Sequence, residues 1–136
     1  MERRRDFLKG SLAILAGITV SPWAKAFAST SNFPGGIIYT SQNPGRWAGK
    51  VGAHAPRVTV EGNKITILTK DPMTEKHFIV RHTLVAQNGK VLGDKTFFPS
   101  DSTAFSTYDI PVKKGATMYA TSFCNKHDFW VTEFTT

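Results

Sequence analysis

A cysteine and a histidine three residues apart form the strongest chemical signal in the sequence. Cys124 is the chain's single cysteine, and His127 follows it in Cys124-Asn125-Lys126-His127. These residues fall where one β-rich segment ends and the next begins, so a thiol and an imidazole share one loop and could bind the same ion. Thiolate beside imidazole favours iron, copper or zinc over calcium or magnesium. The pattern alone also fits a buried, inert cysteine next to a surface histidine.

Three further histidines could contribute ligands, and two of them stand at the boundaries of predicted elements. His54 precedes the predicted strand Arg57–Val60, and His77 opens a longer predicted strand. Functional residues concentrate at such boundaries. His82 follows His77 by five residues, and odd separations along a strand place side chains on opposite faces. His82 is therefore predicted to be structural or solvent-facing.

The segments that must position these side chains are predicted to be β-strands. Seven short stretches are rich in Val, Ile, Thr and aromatic residues, and they are Arg57–Val60, Lys64–Thr69, His77–Ala86, Lys90–Phe98, Ala104–Ile110, Ala116–Phe123 and Phe129–Phe134. Glu61-Gly62-Asn63 and Gln87-Asn88-Gly89 lie between such stretches and predict hairpin turns. No stretch after residue 28 has the period of an amphipathic helix. The pattern predicts an all-β fold, an immunoglobulin-like antiparallel β-sandwich of about seven strands.

Three segments around the histidines and the cysteine follow one another in a recognisable order. They are His54-Ala55-Pro56, Pro72-Met73-Thr74-Glu75-Lys76-His77-Phe78-Ile79 and Cys124-Asn125-Lys126-His127-Asp128-Phe129-Trp130. Together they resemble the ligand-bearing motifs of the superoxide reductases, the neelaredoxin and desulfoferrodoxin group. The resemblance covers essentially all of residues 37–136. With a single cysteine, the chain resembles the one-iron class of that group.

The resemblance implies an iron enzyme. A protein of this kind holds one mononuclear non-haem iron, which alternates between Fe2+ and Fe3+, with four equatorial histidines and an axial cysteine thiolate. Carried over by motif, His54, His77 and His127 would be equatorial ligands and Cys124 the axial one. The implied reaction reduces superoxide to hydrogen peroxide by one-electron transfer. The implied partners are superoxide as substrate and an unidentified electron donor protein.

Two positions depart from the family's pattern. Asp71 stands where the family usually has a ligand histidine. It could ligate the metal through a carboxylate oxygen, or it could be a loop acid beside a three-histidine, one-cysteine site completed by water. The lysine that guides superoxide in the family is absent from its usual place just before His54. Lys50, four residues ahead of His54, is the candidate catalytic residue in its place, or else a solvated surface lysine.

The first 28 residues are predicted to be a twin-arginine signal peptide. Residues 3–9 read RRRDFLK, an apolar run extends from residue 12 to residue 20, and small-x-small sites allow cleavage after Ala26 or Ala28. The apolar run is well short of the roughly 20 residues of a membrane-spanning helix, so no stable membrane anchor is expected. The mature protein is expected to be exported to the periplasm. It would comprise a flexible leader at residues 29–36 and one domain at residues 37–136.

Charge and cysteine content narrow the class of partner. Removal of residues 1–28 takes five basic and two acidic residues, so the formal net charge falls from +7 to +4. The remaining lysines and arginines form no patch interleaved with aromatics, and no nucleic-acid partner is expected. A mildly basic surface favours small anions. One cysteine excludes an intramolecular disulfide, and a homo-oligomer is compatible with the sequence.

Two other functions use the same residues. A cupredoxin-like electron carrier also combines an early histidine with a late Cys-x-x-His, but it usually adds a methionine soon after the second histidine, and none follows His127. A non-catalytic metal-binding or interaction module of the same fold would have kept the sandwich and lost efficient chemistry. The change at Asp71 is the feature that favours this second alternative.

Overall fold

Residues 35–136 form an immunoglobulin-like β-sandwich of eight strands in two sheets. The computed structural model describes residues 35–136. The strands are β1 (Ile38–Tyr39), β2 (Arg57–Glu61), β3 (Lys64–Thr69), β4 (Ile79–Ala86), β5 (Val91–Thr96), β6 (Ala104–Asp109), β7 (Thr117–Cys124) and β8 (Asp128–Thr135). One sheet has the order β1-β8-β7-β4-β5 and the other the order β2-β3-β6. The predicted all-β sandwich is confirmed.

Alternation of apolar and polar residues produces the core between the sheets. Along β3, Ile65 and Ile67 face inward while their neighbours are half-buried or exposed, and β6 alternates in the same way. Period-two alternation of this kind is what a strand with one buried face requires. The inward side chains form the main core cluster, which consists of Ile65, Ile67, Leu84, Tyr108, Met118 and Ala120.

The two predicted hairpin turns are present. Gly62 lies between the antiparallel strands β2 and β3 with φ 59°, and Gly89 lies between β4 and β5 with φ 87°. Both angles fall in the left-handed region that glycine adopts without steric cost. The hairpin turns predicted from the Gly-Asn and Asn-Gly pairs are therefore confirmed.

Three local elements were not predicted. Strand β1 pairs with β8 in parallel, through Ile38 with Phe129 and Tyr39 with Trp130, whereas the other pairings are antiparallel. The connection to β2 contains a 3₁₀ segment (Gly45–Lys50) and a one-turn helix, α1 (Val51–His54). Elements of two to six residues are too short to produce a detectable period in the sequence.

The predicted start of the long strand at His77 is wrong. Strand β4 begins at Ile79, because the backbone of His77 is held in a turn: its N–H donates to the Thr74 carbonyl at 3.2 Å, and the Thr74 N–H donates to the His77 carbonyl at 2.9 Å. A register shift between Ile79 and Arg81 also interrupts the pairing of β4 with β7. Strand parity therefore does not relate His77 to His82.

His82 is nevertheless structural, as one of the two alternatives for it stated. Its side chain is fully buried between the sheets, with Nε2 2.9 Å from Thr69 Oγ1 on β3 and Nδ1 2.9 Å from Ser106 Oγ on β6. Thr69 Oγ1 also donates to Ser122 Oγ on β7 at 2.9 Å. This hydrogen-bonded group ties the two sheets together, so the solvent-facing alternative is wrong.

The described residues contain the predicted domain but not the predicted signal peptide. Residues 1–28, and the leader at 29–36 apart from its last two residues, lie outside the part of the chain that the structure describes. Within residues 35–136, no helix has the length and apolar character needed to cross a membrane.

Candidate metal centre

Four side chains from distant parts of the chain converge at one end of the sandwich. His54 ends α1, His77 lies in the turn before β4, Cys124 ends β7, and His127 lies in the turn between β7 and β8. One ligand atom from each residue lies within 4.8 Å of the others. The structure thus brings together the three histidines and the cysteine that the motifs singled out.

The distances between the donor atoms match those required by one ion. His77 Nε2 lies 3.0 Å from His127 Nδ1 and 3.4 Å from His54 Nε2, and Cys124 Sγ lies 3.5 Å from His127 Nδ1. A transition metal with nitrogen bonds of about 2.1 Å holds two nitrogens at right angles about 3.0 Å apart. Three imidazole nitrogens and one thiol sulfur therefore fit a single transition metal ion.

Hydrogen bonds and ring contacts orient two of the imidazoles. His54 Nδ1 lies 3.1 Å from the carbonyl oxygen of Lys50, one turn earlier, and as a donor to that oxygen it leaves the Nε2 lone pair facing the centre. His127 packs against the indole of Trp47, edge to face, with ring centroids 4.6 Å apart. Trp130 Nε1 donates to the His127 carbonyl at 2.8 Å. Partners that fix a ligand's ring in this way usually strengthen metal binding.

Asn125 holds the turn with His77 against the loop with Cys124. Its Oδ1 accepts from the Phe78 N–H at 3.0 Å, and its Nδ2 donates to the Lys76 carbonyl at 3.1 Å. Both bonds flank His77 in the sequence. Asn125 is a site residue that sequence reasoning missed, and its place between the cysteine and His127 was the available signal.

Cys124 is as deeply buried as His54. Only 1 % of its surface is exposed. Burial raises the pKa of the Cys124 thiol, while backbone N–H groups of Lys126 and His127 donate to the sulfur and oppose that rise. A metal ion stabilises the thiolate strongly enough to overcome the cost of burial. The sulfur is therefore suited to a metal and poorly suited to act as a free nucleophile.

Two of the imidazoles, those of His54 and His127, are favoured in the neutral form that binds metals. Burial lowers the pKa of His54, against an opposing effect of Asp71. Burial also lowers the pKa of His127, and the nearby His54, His77 and Lys50 lower it further. Since a metal ion binds the unprotonated ring, both shifts reduce competition from protons.

Asp71 is buried beside the convergent donors. Its side chain is 3 % exposed, and its Oδ2 lies 2.6 Å from His77 Nε2, 3.3 Å from His54 Nε2 and 3.9 Å from Cys124 Sγ. Within residues 35–136, this carboxylate has no lysine or arginine partner. A metal ion would give this buried carboxyl group a charge partner.

Lys50 is exposed and close to the centre. Its positive charge contributes to lowering the pKa values of both His54 and His127. Two further exposed lysines directly precede candidate ligands in the sequence: Lys76 precedes His77, and Lys126 precedes His127. The outer side of the site, where His77 and His127 are only partly buried, therefore has the positive charge of Lys50 nearby.

The match to a known family agrees with this geometry. The model of the desulfoferrodoxin family matches residues 48–133, which include all four convergent residues and Asp71. The chain belongs to the desulfoferrodoxin family. None of the curated proteins matches the chain at a significant level.

Solved structures of superoxide reductases share the fold of this desulfoferrodoxin-family protein. Superoxide reductase (neelaredoxin) from Ignicoccus hospitalis is 24 % identical, with a TM-score of 0.62 over 73 % of this chain and 93 % of that one. The enzyme from Archaeoglobus fulgidus in its reduced form is 22 % identical, with a TM-score of 0.54 over 73 % and 97 %. The one-iron enzyme from Giardia intestinalis is 22 % identical, with a TM-score of 0.54 over 62 % and 98 %.

Proposed function

We propose that this protein binds one iron ion and uses it to reduce superoxide to hydrogen peroxide. The observation that carries the proposal is the convergence of three imidazole nitrogens and one buried thiol within 4.8 Å. A chain of the desulfoferrodoxin family with this donor set is suited to a redox-active metal, because thiolate and imidazole both bind iron. His54, His77, His127 and Cys124 would together hold the ion.

The reaction combines one superoxide with one electron and two protons to give one hydrogen peroxide. When bound, iron at this centre supplies the electron and is reduced again by an outside donor protein. The buried Cys124 sulfur places a charge-donating thiolate beside the ion, which favours electron transfer to oxygen species. Its depth in the fold leaves the partly exposed side, near His77 and His127, for the substrate.

Lys50 would act at that exposed side. Its ammonium carries a positive charge whose influence reaches both His54 and His127. A positive charge beside the opening raises the local concentration of a small anion. Lys50 Nζ can also donate a proton to the reduced oxygen species, which gives this residue both a guiding and an acid role.

Asp71 would complete the ligand set through a carboxylate oxygen. The supporting observations are its burial and the 2.6 Å and 3.3 Å distances from Oδ2 to the facing nitrogens of His77 and His54. An anionic oxygen stabilises the ferric state relative to the ferrous state, so Asp71 would lower the reduction potential. The alternative is a three-histidine, one-cysteine centre with water in the remaining position.

The test compares the full chain with Cys124→Ser in metal content and in superoxide consumption. Wild-type protein should contain about one iron per chain and consume superoxide with formation of hydrogen peroxide but not of dioxygen. Cys124→Ser should lose nearly all of this activity. His82→Gln is the matched control, since His82 is equally buried but lies in the hydrogen-bonded group between the sheets. Bound iron without superoxide consumption would instead identify a non-catalytic metal-binding module.

We also propose that residues 1–28 direct export by the twin-arginine route to the periplasm. The support is the sequence RRRDFLK at residues 3–9 with the apolar run behind it. Replacement of Arg4 and Arg5 by lysine should leave the protein in the cytoplasm when cell fractions are compared. Export of the double variant at the wild-type level would refute the assigned route.

A further inference from the structure

Asp128 has an unusual backbone conformation directly after a proposed metal ligand. Its φ angle is 64°, and within residues 35–136 it is the only residue other than glycine with a positive φ. Few side chains adopt this left-handed region, although aspartate and asparagine do so more readily than most. Asp128 opens β8 and pairs with Cys124 across the turn that carries His127. The conformation of Asp128 thus closes the turn.

The carboxylate of Asp128 connects this turn to the 3₁₀ segment. Its Oδ2 accepts from Trp47 Nε1 at 2.9 Å and from Arg46 Nη2 at 2.6 Å. The same segment is kinked at Trp47, where φ is −102° and ψ is 26°. One side chain therefore links two segments more than 80 residues apart in the sequence.

The 3₁₀ segment bound by Asp128 contacts two of the proposed ligands, His127 and His54. The indole of Trp47 contacts the His127 ring edge to face, with the planes 87° apart. The segment ends at Lys50, whose carbonyl oxygen contacts His54 Nδ1. A shift of Trp47 away from Asp128 would remove the ring that covers one side of His127.

We propose that Asp128 is a positioning residue that holds Trp47 against His127 and so fixes the orientation of that imidazole for metal binding. The inference rests on the proposed metal centre and concerns residues that the family motifs do not assign to it. The bond to Trp47 carries the effect. The Arg46 and Asp128 side chains are 64 % and 37 % exposed, and exposed ion pairs contribute little.

The variants separate the backbone conformation from the hydrogen bond. Asp128→Gly permits the left-handed conformation but removes the acceptor. Asp128→Asn tolerates the same conformation and keeps a side-chain oxygen for the Trp47 N–H. Arg46→Gln removes only the exposed charge pair, and Trp47→Phe keeps a ring beside His127 but removes the N–H donor. Asp128→Gly and Trp47→Phe should therefore behave alike. Asp128→Asn and Arg46→Gln should resemble wild type.

The experiment uses the full chain loaded with Zn²⁺, which is diamagnetic, performs no redox chemistry and accepts histidine and cysteine ligands. Zinc release to a chromogenic chelator should be about tenfold faster in Asp128→Gly and in Trp47→Phe than in wild type. Loss of a residue that orients a metal ligand typically weakens metal binding by about 10- to 100-fold, and tenfold is the lower end of that range. Asp128→Asn and Arg46→Gln should stay within about twofold of wild type. Nuclear Overhauser contacts between the Trp47 and His127 rings should weaken only in Asp128→Gly among the variants that retain Trp47.

Two results would overturn the inference. One is zinc release from Asp128→Gly at the wild-type rate, and the other is an unchanged contact between the Trp47 and His127 rings in that variant. A wild-type chain that binds no zinc and no iron would instead contradict the proposed function. In that case the contact between the Trp47 and His127 rings would be compared between wild type and Asp128→Gly without metal. That comparison would still decide whether Asp128 holds Trp47 in place.

Discussion

Protonation of His82 should destabilise the fold as the pH falls below neutrality. His82 is fully buried, and its ring nitrogens contact Thr69 Oγ1 and Ser106 Oγ. Burial lowers the pKa of His82 from 6.5 to about 4, with a smaller contribution from the charge of Lys95. The remaining face of the ring packs edge to face against Phe97 at 4.8 Å, so no carboxylate among these neighbours compensates a charged imidazole.

The sign and size of the effect follow from the two pKa values. Between pH 6.5 and pH 4 the unfolded chain binds a proton at His82 that the folded chain does not, so the free energy of unfolding falls as the pH falls through this window. The full shift corresponds to about 3 kcal/mol, of which about 2 kcal/mol should be lost by pH 5. Above pH 6.5 this contribution should be constant.

Urea unfolding of wild type and His82→Gln at several pH values measures this contribution. Glutamine does not titrate, so the difference in the free energy of unfolding between the two proteins should shrink by about 2 kcal/mol from pH 7.5 to pH 5. The metal-site histidines are the same in both proteins, and their effects cancel in that difference. Parallel pH profiles for the two proteins would refute the assigned pKa and the role of burial in it.

Three other substitutions test the site and the packing around it. Asp71→His should raise the midpoint potential in a redox titration by at least tens of millivolts, since about 59 mV corresponds to a tenfold change for one electron; an unchanged midpoint and spectrum would show that Asp71 is not a ligand. Lys50→Gln should slow superoxide consumption and reduce its dependence on salt, because one positive charge beside the opening is lost. Lys90→Gln, in the connection between β4 and β5, should leave that rate unchanged, and equal effects of the two would contradict a local role for Lys50. Gly93→Ala should destabilise the protein in urea unfolding, because an added Cβ would overlap a ring carbon of Tyr108; overpacking typically costs about 1–3 kcal/mol, and no loss would mean that the ring moves freely.

The sequence predicted the strands well because their pattern depends on burial. Ile65 and Ile67 alternate with more exposed residues on β3, and the glycines at positions 62 and 89 marked the turns. The same reasoning placed the start of β4 two residues too early. His77 is followed by apolar residues, but Thr74 holds its backbone in a turn, and such hydrogen bonds leave no periodic pattern.

The sequence predicted which residues form the candidate site, but not which residues orient them. His54, His77, Cys124 and His127 could be selected from motif order, because few residue types bind a transition metal. The partners that orient them could not, since the bonds from Trp47 to Asp128 and from Asn125 to Phe78 join segments distant in sequence. The buried position of Asp71 also required the three-dimensional structure.

The visible spectrum of the oxidised, iron-loaded protein tests the central claim most directly. A thiolate bonded to ferric iron produces a charge-transfer band, and the convergence of Cys124 with three imidazoles predicts that wild-type protein has this band. Cys124→Ser should lack this band. Removal of the iron from wild-type protein should abolish both the band and superoxide reduction. A wild-type protein that binds iron with no thiolate band, or a Cys124→Ser protein with an unchanged spectrum, would contradict an iron centre bound through this cysteine.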